Sequence, residues 1–435
     1  MSRRVQTYII LALYFTAGII VGYGASRIGR GEYRDNRVIV DIVKNNGEIL
    51  IYEHDSGQLI FEYSKDEDLD KSGITIEGES VGDSWNLNTN TVLIFGANIT
   101  MFRIGDPAYS QEIRSVTFRD FAVLGSGPYV EGGSRGSGVF AFHRCSDIKL
   151  ERILFQYCGG NVVSFDRAQI STLQDCWFYQ CGSTNKATVN FTSTSGVNTQ
   201  AKIDHCTFAT SVYTDILVSD SDICNILYSH FEGNATNPTA YHIRAVSGIS
   251  VKGCYIGNGP DTCDFISLYN IWGSWILDNL IIYAGRDGIA VTGDSQSIKI
   301  SRNIILSVGR YGIQLGPVVF DNTVSENRVY NCSWAGIILS SADNCTIASN
   351  HVFDNDQSGS GLHGIWLYNS DFNIVYGNHC YDIDGTQDWG IYESGTSDYN
   401  TITSCHAFDN VVGGISVSGA NTHVNLCWND TDWIA

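Results

Sequence analysis

Three short stretches repeat a pattern of imidazole and carboxylate: Asn350-His351-Val352-Phe353-Asp354, Asn378-His379-Cys380-Tyr381-Asp382 and Cys405-His406-Ala407-Phe408-Asp409. The central Val352, Cys380 and Ala407 are apolar, so an alternating strand turns them inward and the histidines outward. If the stretches stack, His351, His379 and His406 form one column and Asp354, Asp382 and Asp409 another. Three carboxylates on adjacent rungs repel, which is relieved by solvent screening, by raised pKa values or by a bound cation such as Ca²⁺. Asp354, Asp382 and Asp409 are therefore candidate metal ligands, and His379, Asp382 and Asp409 candidate catalytic groups. The neighbouring turns carry Asp356, His363, Asp384, Asp388 and Trp389, and Trp366, Tyr368 and Tyr392 lie on the strands that follow. Aromatic faces beside polar edges suit stacking on sugar rings. His363, Trp366, Tyr368, Trp389 and Tyr392 are thus candidate contacts for a polysaccharide. The opposing reading is ordinary turn chemistry, copied from repeat to repeat, because Asp and Asn favour corners.

Glu393 is the second candidate. It stands where the equivalent positions are Val291, Leu315, Leu339, Leu367 and Val417. A buried carboxylate is costly unless paired or protonated, and a protonated one is a natural general acid. The alternative is a local shift of the strand end that lets Glu393 reach solvent.

The elements that must position these residues follow from a repeat. A Gly-Ile pair recurs at Gly288-Ile289, Gly312-Ile313, Gly336-Ile337, Gly364-Ile365, Gly390-Ile391 and Gly414-Ile415, with spacings of 24, 24, 28, 26 and 24. A second column holds Asn279, Asn303, Asn327, Asn350 and Asn378, with Cys405 next in phase. Short strands with a turn-forming Asn at constant phase mean one coil per repeat, and stacked coils place equivalent residues about 4.8 Å apart. Asn suits an inward turn because its amide both donates and accepts along the stack. Only five prolines occur in 435 residues, as expected where every internal strand donates to a neighbour.

At these G-I-x-L and N-x-V/I elements the chain resembles the right-handed parallel β-helix superfamily, the pectate-lyase-like fold. The likeness is clear from about Asp264 to the end and weaker upstream. There, strand-like runs recur around Val139, Val162, Val189, Ile216 and Ile243, with Ile74 to Glu79 and Val116 to Gly125 as first coils. The expected fold is all-β: a single-stranded right-handed parallel β-helix of about 14 coils, at roughly 25 residues each, over residues 73–435. Residues 31–72 are expected to be a β-meander cap or linker, because the runs Val38-Val43, Glu48-Glu53 and Gln58-Tyr63 are separated by turn residues, the alternative being an irregular first coil. The resemblance implies sugar-polymer chemistry on one outer face, as in lyases, hydrolases, epimerases and viral tailspikes. The catalytic signatures it would bring are missing: the chain has no Asp-Asp pair and no Gly-His-Gly. A lyase would also need a basic strip, for which Arg286, Arg302, Arg310 and Arg328 lie on neighbouring coils.

Composition narrows the rest. The net charge of -20 argues against nucleic acid as a partner, since a basic face is needed to replace counterions. Residues Tyr8 to Tyr23 lack charge and follow Arg3 and Arg4, so residues 1–30 read either as a signal peptide cleaved after Gly24 or as a retained membrane anchor. Sequons at Asn98, Asn190, Asn234, Asn331, Asn344 and Asn429 are candidate glycosylation sites. Among the 13 cysteines, Cys158 and Cys181, Cys176 and Cys206, and Cys405 and Cys427 fall at common phases. They are either disulfides, since rung spacing suits the bond, or buried free thiols filling a ladder. The run Gly132 to Gly138 follows no phosphate-loop spacing and reads as a surface turn.

Two functions remain. One is an exported, surface-displayed β-helix that binds or processes polysaccharide. The other is a non-catalytic structural or adhesive spike of a cell envelope or virion, anchored by its N-terminus and suited to a homotrimer.

Overall fold

The computed structural model of the chain describes residues 113–124 and 138–434, apart from 184–185, 193–199, 220, 234–240, 260–262 and 430–431; ahead of residue 113 it describes only short strands. The run Val38-Val43, most of the apolar segment 8–23, Asn98, Asn234 and most of the glycine run lie outside the described residues. Within the apolar segment, Leu13–Tyr14 and Ile19–Ile20 are described as an antiparallel pair. No helix among the described residues is long and apolar enough to cross a membrane. The strands Ile49–Glu53 and Leu59–Tyr63 pair antiparallel.

The chain forms two compact units, 1–222 and 223–435, and each is built of parallel turns. In the first, Phe140↔Val163↔Val189↔Ile216 are aligned on successive strands. Its interior is filled by columns of phenylalanine. Phe142, Phe165 and Phe191 stack at 5.2 and 4.8 Å, and Phe155, Phe178 and Phe208 at 4.7 Å each. Planar rings fit this arrangement because one rung spacing is close to a stacking distance.

The second unit carries the residues of functional interest. A typical turn has three strands, such as Ile289–Thr292, Lys299–Ser301 and Ile304–Leu306. Ile266, Ile289, Ile313, Ile337, Ile365, Ile391 and Ile415 form one inward column. From Ile289 onward each Ile follows a glycine, which is required by close approach rather than by dihedral angle. A Cβ on Gly312 would meet Val329 Cγ1 at 2.2 Å and the Gly336 carbonyl oxygen at 2.7 Å.

Asparagine holds the corners together. Asn279, Asn303, Asn327 and Asn350 each donate Nδ2–H to the Oδ1 of the next ladder asparagine, at 2.9 to 3.0 Å. Each also donates its backbone N–H to that same oxygen. The second Nδ2 hydrogen goes to a strand carbonyl of the preceding turn, Ile276 for Asn303 and Ile300 for Asn327. All four bonding positions of the Asn303, Asn327 and Asn350 amides are thereby used in a buried site. A second ladder joins Asn373 to Asn400, and a third joins Asn355, Gln387 and Asn410.

The described chain makes about 11 turns, fewer than the 14 expected. The first repeats are longer than the later ones: Phe102 aligns with Phe140 after 38 residues, whereas Ile289 aligns with Ile313 after 24.

The paired-cysteine expectation is corrected. All thirteen cysteines are free and buried. Their sulfurs turn to carbonyls instead. Cys158, Cys181, Cys405 and Cys427 each donate to the carbonyl two residues back and to a carbonyl of the preceding turn. Cys176 does the same, and Cys206 donates to Asp204. The thiol therefore serves as a smaller version of the ladder asparagine. Burial pushes the Cys224 thiol up to about 12, so this group is a poor nucleophile at neutral pH.

Two outcomes follow. Without reductant, all thirteen thiols should react with a thiol reagent in denaturant and few in the native protein; a reduced count in denaturant would restore the disulfides. Asn327→Ala should lower unfolding free energy by about 2–4 kcal/mol, because it strands the buried Asn303 N–H and breaks the column. Denaturant titration checks this, and a loss below about 0.5 kcal/mol would refute the ladder's role.

Candidate functional site

The outward face of the Gly-Ile sheet in the second unit gathers the aromatic residues. Its strands His363–Tyr368 and Trp389–Ser394 are aligned so that His363 sits beside Trp389, Trp366 beside Tyr392 and Tyr368 beside Ser394. The rings meet directly. His363 lies 5.4 Å from Trp366 and 4.1 Å from Tyr392. Trp366 lies 5.4 Å from Tyr368, and Trp389 lies 6.1 Å from Tyr392. Trp366 is fixed by donating Nε1–H to Ser394 Oγ at 2.9 Å. All five expected sugar-contact residues therefore belong to one cluster. Trp366, Trp389 and Tyr392 are half-buried and Tyr368 exposed, while His363 is buried.

The same face continues onto the preceding turns. Tyr311, Ala335 and Ile338 pack together, with Trp366 against them, and Trp334 stands 5.3 Å from Tyr311. The signal was available: Ile338 shares a column with Trp366 and Tyr392. Arg310 lies over the Tyr311 and Trp334 rings at 5.0 and 5.8 Å. Its Nε donates to Asp287 Oδ1 at 2.7 Å, and Nη2 to Asp287 Oδ2 and to Gln314. One turn earlier, Arg286 holds Asp264 in the same bidentate way. Asp264 and Asp287 are buried, and each has a guanidinium as its partner. Fork-to-fork pairing of this kind is the strongest form of Arg–carboxylate bond.

The basic strip considered from the sequence is thus divided. Arg286 and Arg310 lie at this sheet. Arg302 is bonded to Asp278 at a turn, and Arg328 lies over Tyr330 and Phe353 at the third-strand sheet of each turn.

The two long turns that border the cluster are each organised by one aspartate. Asp356, fully buried, accepts from Ser360 N, Gly361 N and Leu362 N at 2.7 to 2.9 Å and from Ser358 Oγ at 3.1 Å. Asp382 accepts from Gly385 N, Thr386 N and Gln387 N at 3.1, 2.6 and 2.8 Å. These turns deliver His363 and Trp389. Asp388, at the rim near Gly361, is held above the usual carboxylate range by burial and by the Asp356 charge.

The other expected site residues are elsewhere. His351, His379 and His406 stack on the third-strand sheet, at 5.0 and 4.8 Å and nearly parallel. Burial and the two flanking imidazoles push His379 down. Asp354 accepts from Ile383 N at 2.6 Å and Asp382 caps its loop, while Asp409 is exposed. The structure does not bring this trio together as a cation site: among the described residues no group of three or more His, Cys, Asp or Glu side chains is arranged to hold a metal ion.

Glu393 points inward and is 1% exposed, so the shift toward solvent does not occur. Its Oε1 accepts from Asn400 Nδ2 at 2.6 Å and Thr422 Oγ1 at 2.7 Å. Its Oε2 accepts from Ser418 N at 3.0 Å and Gly419 N at 2.9 Å. It terminates the second asparagine ladder and fastens the last turn.

Of the sequons, Asn190 is buried within a strand and Asn429 accepts from Ile415 N through Oδ1. Neither side chain is presented to a glycosylating enzyme in the fold. Asn344 is exposed and Asn331 half-buried.

The turn geometry agrees with a solved structure of known fold. PfbA, a surface adhesin of Streptococcus pneumoniae, superposes with a TM-score of 0.52 over 63% of this chain and 77% of its own, at 13% identity. The chain is a right-handed parallel β-helix protein. This β-helix is also similar to the periplasmic alginate epimerase AlgG, at 14% identity over 73% of this chain and 78% of AlgG, with a TM-score of 0.46. A family described as periplasmic copper-binding protein (NosD) matches residues 231–434. No curated protein sequence matches the chain.

His363 supplies a pH signature. Burial lowers its pKa from 6.5 to about 4, against the opposing pull of Asp356. The folded β-helix therefore binds this proton less readily than the unfolded chain. The stabilisation is complete above pH 6.5 and is lost as pH falls toward 4, a change of about 3 kcal/mol. Denaturant midpoints measured across that window should fall less steeply for His363→Gln than for the parent; equal slopes would refute the assignment.

Proposed function

We propose that the protein is an exported β-helix whose Gly-Ile face binds polysaccharide on the Trp366, Tyr368, Trp389 and Tyr392 platform. One observation carries this: Trp366 and Tyr392, on adjacent rungs, share one outward column, and Tyr368 and Trp389 lie against them. Rungs stack at about 4.8 Å, close to the repeat of successive rings in an extended sugar chain. The apolar faces of pyranose rings stack on such platforms, and the polar edges of Gln314, Ser394 and Asp388 are available to hydroxyls.

Binding is favoured over turnover by the state of the buried carboxylates. Asp388 at the rim, raised by burial and the Asp356 charge, is left without a second free carboxylate among them to act with it. Asp264 and Asp287 are locked to guanidinia, and Asp356 has its oxygens filled by loop donors. A general acid needs a proton to give and a base needs a lone pair to offer, and these groups hold neither free. The candidate catalytic set Glu393, Asp382, Asp409 and His379 is spread over the core, a loop corner, an exposed turn and a different sheet.

The periplasmic description of the matching family, together with Arg3, Arg4 and the apolar run that follows them, supports export to the envelope. The copper in that description finds no fit among the described residues. Copper favours thiolate, thioether and imidazole donors. Here the thiols face backbone carbonyls, the three histidines stack ring on ring, and the chain has two methionines.

Affinity electrophoresis through gels containing single polysaccharides tests the platform. Trp366→Ala and Tyr392→Ala should each weaken retardation by at least about tenfold, as loss of a central aromatic anchor does. His379→Ala, on another sheet, should leave it unchanged. Retardation that survives Trp366→Ala, or that falls with His379→Ala, would overturn the assignment.

A further inference from the structure

The charge around the platform bears on which polymer it takes. No lysine or arginine follows Arg328 in the sequence, whereas eleven aspartates and Glu393 do. The turns carrying Trp366, Tyr368, Trp389 and Tyr392 therefore contain acidic groups and no permanent cation. The nearest guanidinia belong to Arg286 and Arg310, and both are bonded through two nitrogens to buried aspartates. Arg310 also donates to Gln314 and lies against two aromatic rings. Each Arg–Asp pair is neutral as a unit. Releasing a guanidinium to a ligand carboxylate would leave a buried aspartate unpaired, at a cost that the new bond does not recover.

The imidazole beside the platform does not supply the missing charge. His363 is 5% exposed, its Nδ1 has no hydrogen-bond partner, and burial keeps it neutral above about pH 4. The groups beside it are Trp366, Tyr392, Trp389 and, acting through its charge, Asp356, none of them cationic. Among the described residues no acidic cluster is arranged to hold a metal that could bridge to an anionic polymer.

We infer that the platform selects neutral polysaccharide chains, such as hexans without uronate or sulfate groups, and rejects anionic ones. This rests on the platform reading above. Recognition then comes from ring stacking and hydroxyl contacts, which are nearly independent of salt. The surrounding field acts by exclusion, through the like-charge repulsion that discriminates against a wrong partner.

The full chain is run through gels containing a linear β-glucan, a galactomannan, polygalacturonate or a sulfated galactan, at 20 and 300 mM salt. At least one neutral polymer should retard the protein by a factor that changes less than twofold between the two salts. Polygalacturonate and the sulfated polymer should give at least tenfold weaker retardation at low salt. Trp366→Ala should abolish the neutral retardation. Strong retardation by an anionic polymer that is lost in Trp366→Ala would overturn the neutral assignment and leave the platform standing. Retardation by none of the polymers, or retardation insensitive to Trp366→Ala, would overturn both.

Discussion

Every turn of a β-helix must pass its buried backbone groups to the turns on either side, and the corners are where this fails first. Strands satisfy their N–H and C=O groups by parallel pairing, but a corner interrupts the pairing inside the core. In this chain the side-chain amide closes that gap. One oxygen of Asn303 accepts both the backbone and side-chain donors of Asn279, while its own nitrogen reaches forward to Asn327 and back to the Ile276 carbonyl. The chain is then committed to a single register, since a slip of one residue would bury unsatisfied amides along the whole column.

The residues that depart from asparagine in these columns become intelligible from the same constraint. Cysteine can fill the corner because its thiol donates to the same carbonyls at a longer reach. Asn378 hands its Nδ2–H to Cys405 Sγ at 3.8 Å, and Cys405 N–H reaches Cys427 Sγ at 3.5 Å. Near the C-terminal end the second ladder runs out of asparagine partners, and Glu393 provides the last acceptor. A carboxylate takes four donors there, which a leucine or valine at that position would leave stranded. The burial of Glu393 is thus a structural requirement of ending a ladder.

Much of this was legible in the residues, and the limits of legibility are physical. The Gly-Ile and Asn columns specify a parallel coil because both recur in phase, and strand alternation assigns Trp366 and Tyr392 to the outside without further information. The clustering of His363, Trp389 and Tyr368 with them follows from the same alignment. What phase alone could not decide was the state of each polar side chain. Asp354, Asp382 and Asp409 share a phase, yet one accepts from Ile383 N, one caps its own loop and one is exposed. The difference lies in loop conformation between the strands, which no periodicity encodes. Equal phase likewise made Cys158 and Cys181 candidates for a bond, whereas the sulfur rotamer is chosen by nearby carbonyls. Tyr311 and Trp334 were missed for a related reason: they lie just ahead of the inward Ile in their turns, outside the stretches that repeat as a triplet.

A solenoid fixed from within leaves variation to two places, the outward positions and the corner loops, and this protein uses both at one location. The turns from Gly336 to Gly364 and from Gly364 to Gly390 are 28 and 26 residues long, against 24 on either side. The added residues lie in the loops that Asp356 and Asp382 close. By gathering their own N–H groups, these aspartates fold the insertions into rigid walls that lead directly into His363 and Trp389. The aromatic columns supply the floor, at the fixed interval of the rungs. An internal amide ladder thereby sets the spacing of the external aromatic surface proposed to bind polysaccharide, and that surface needs no separate scaffold.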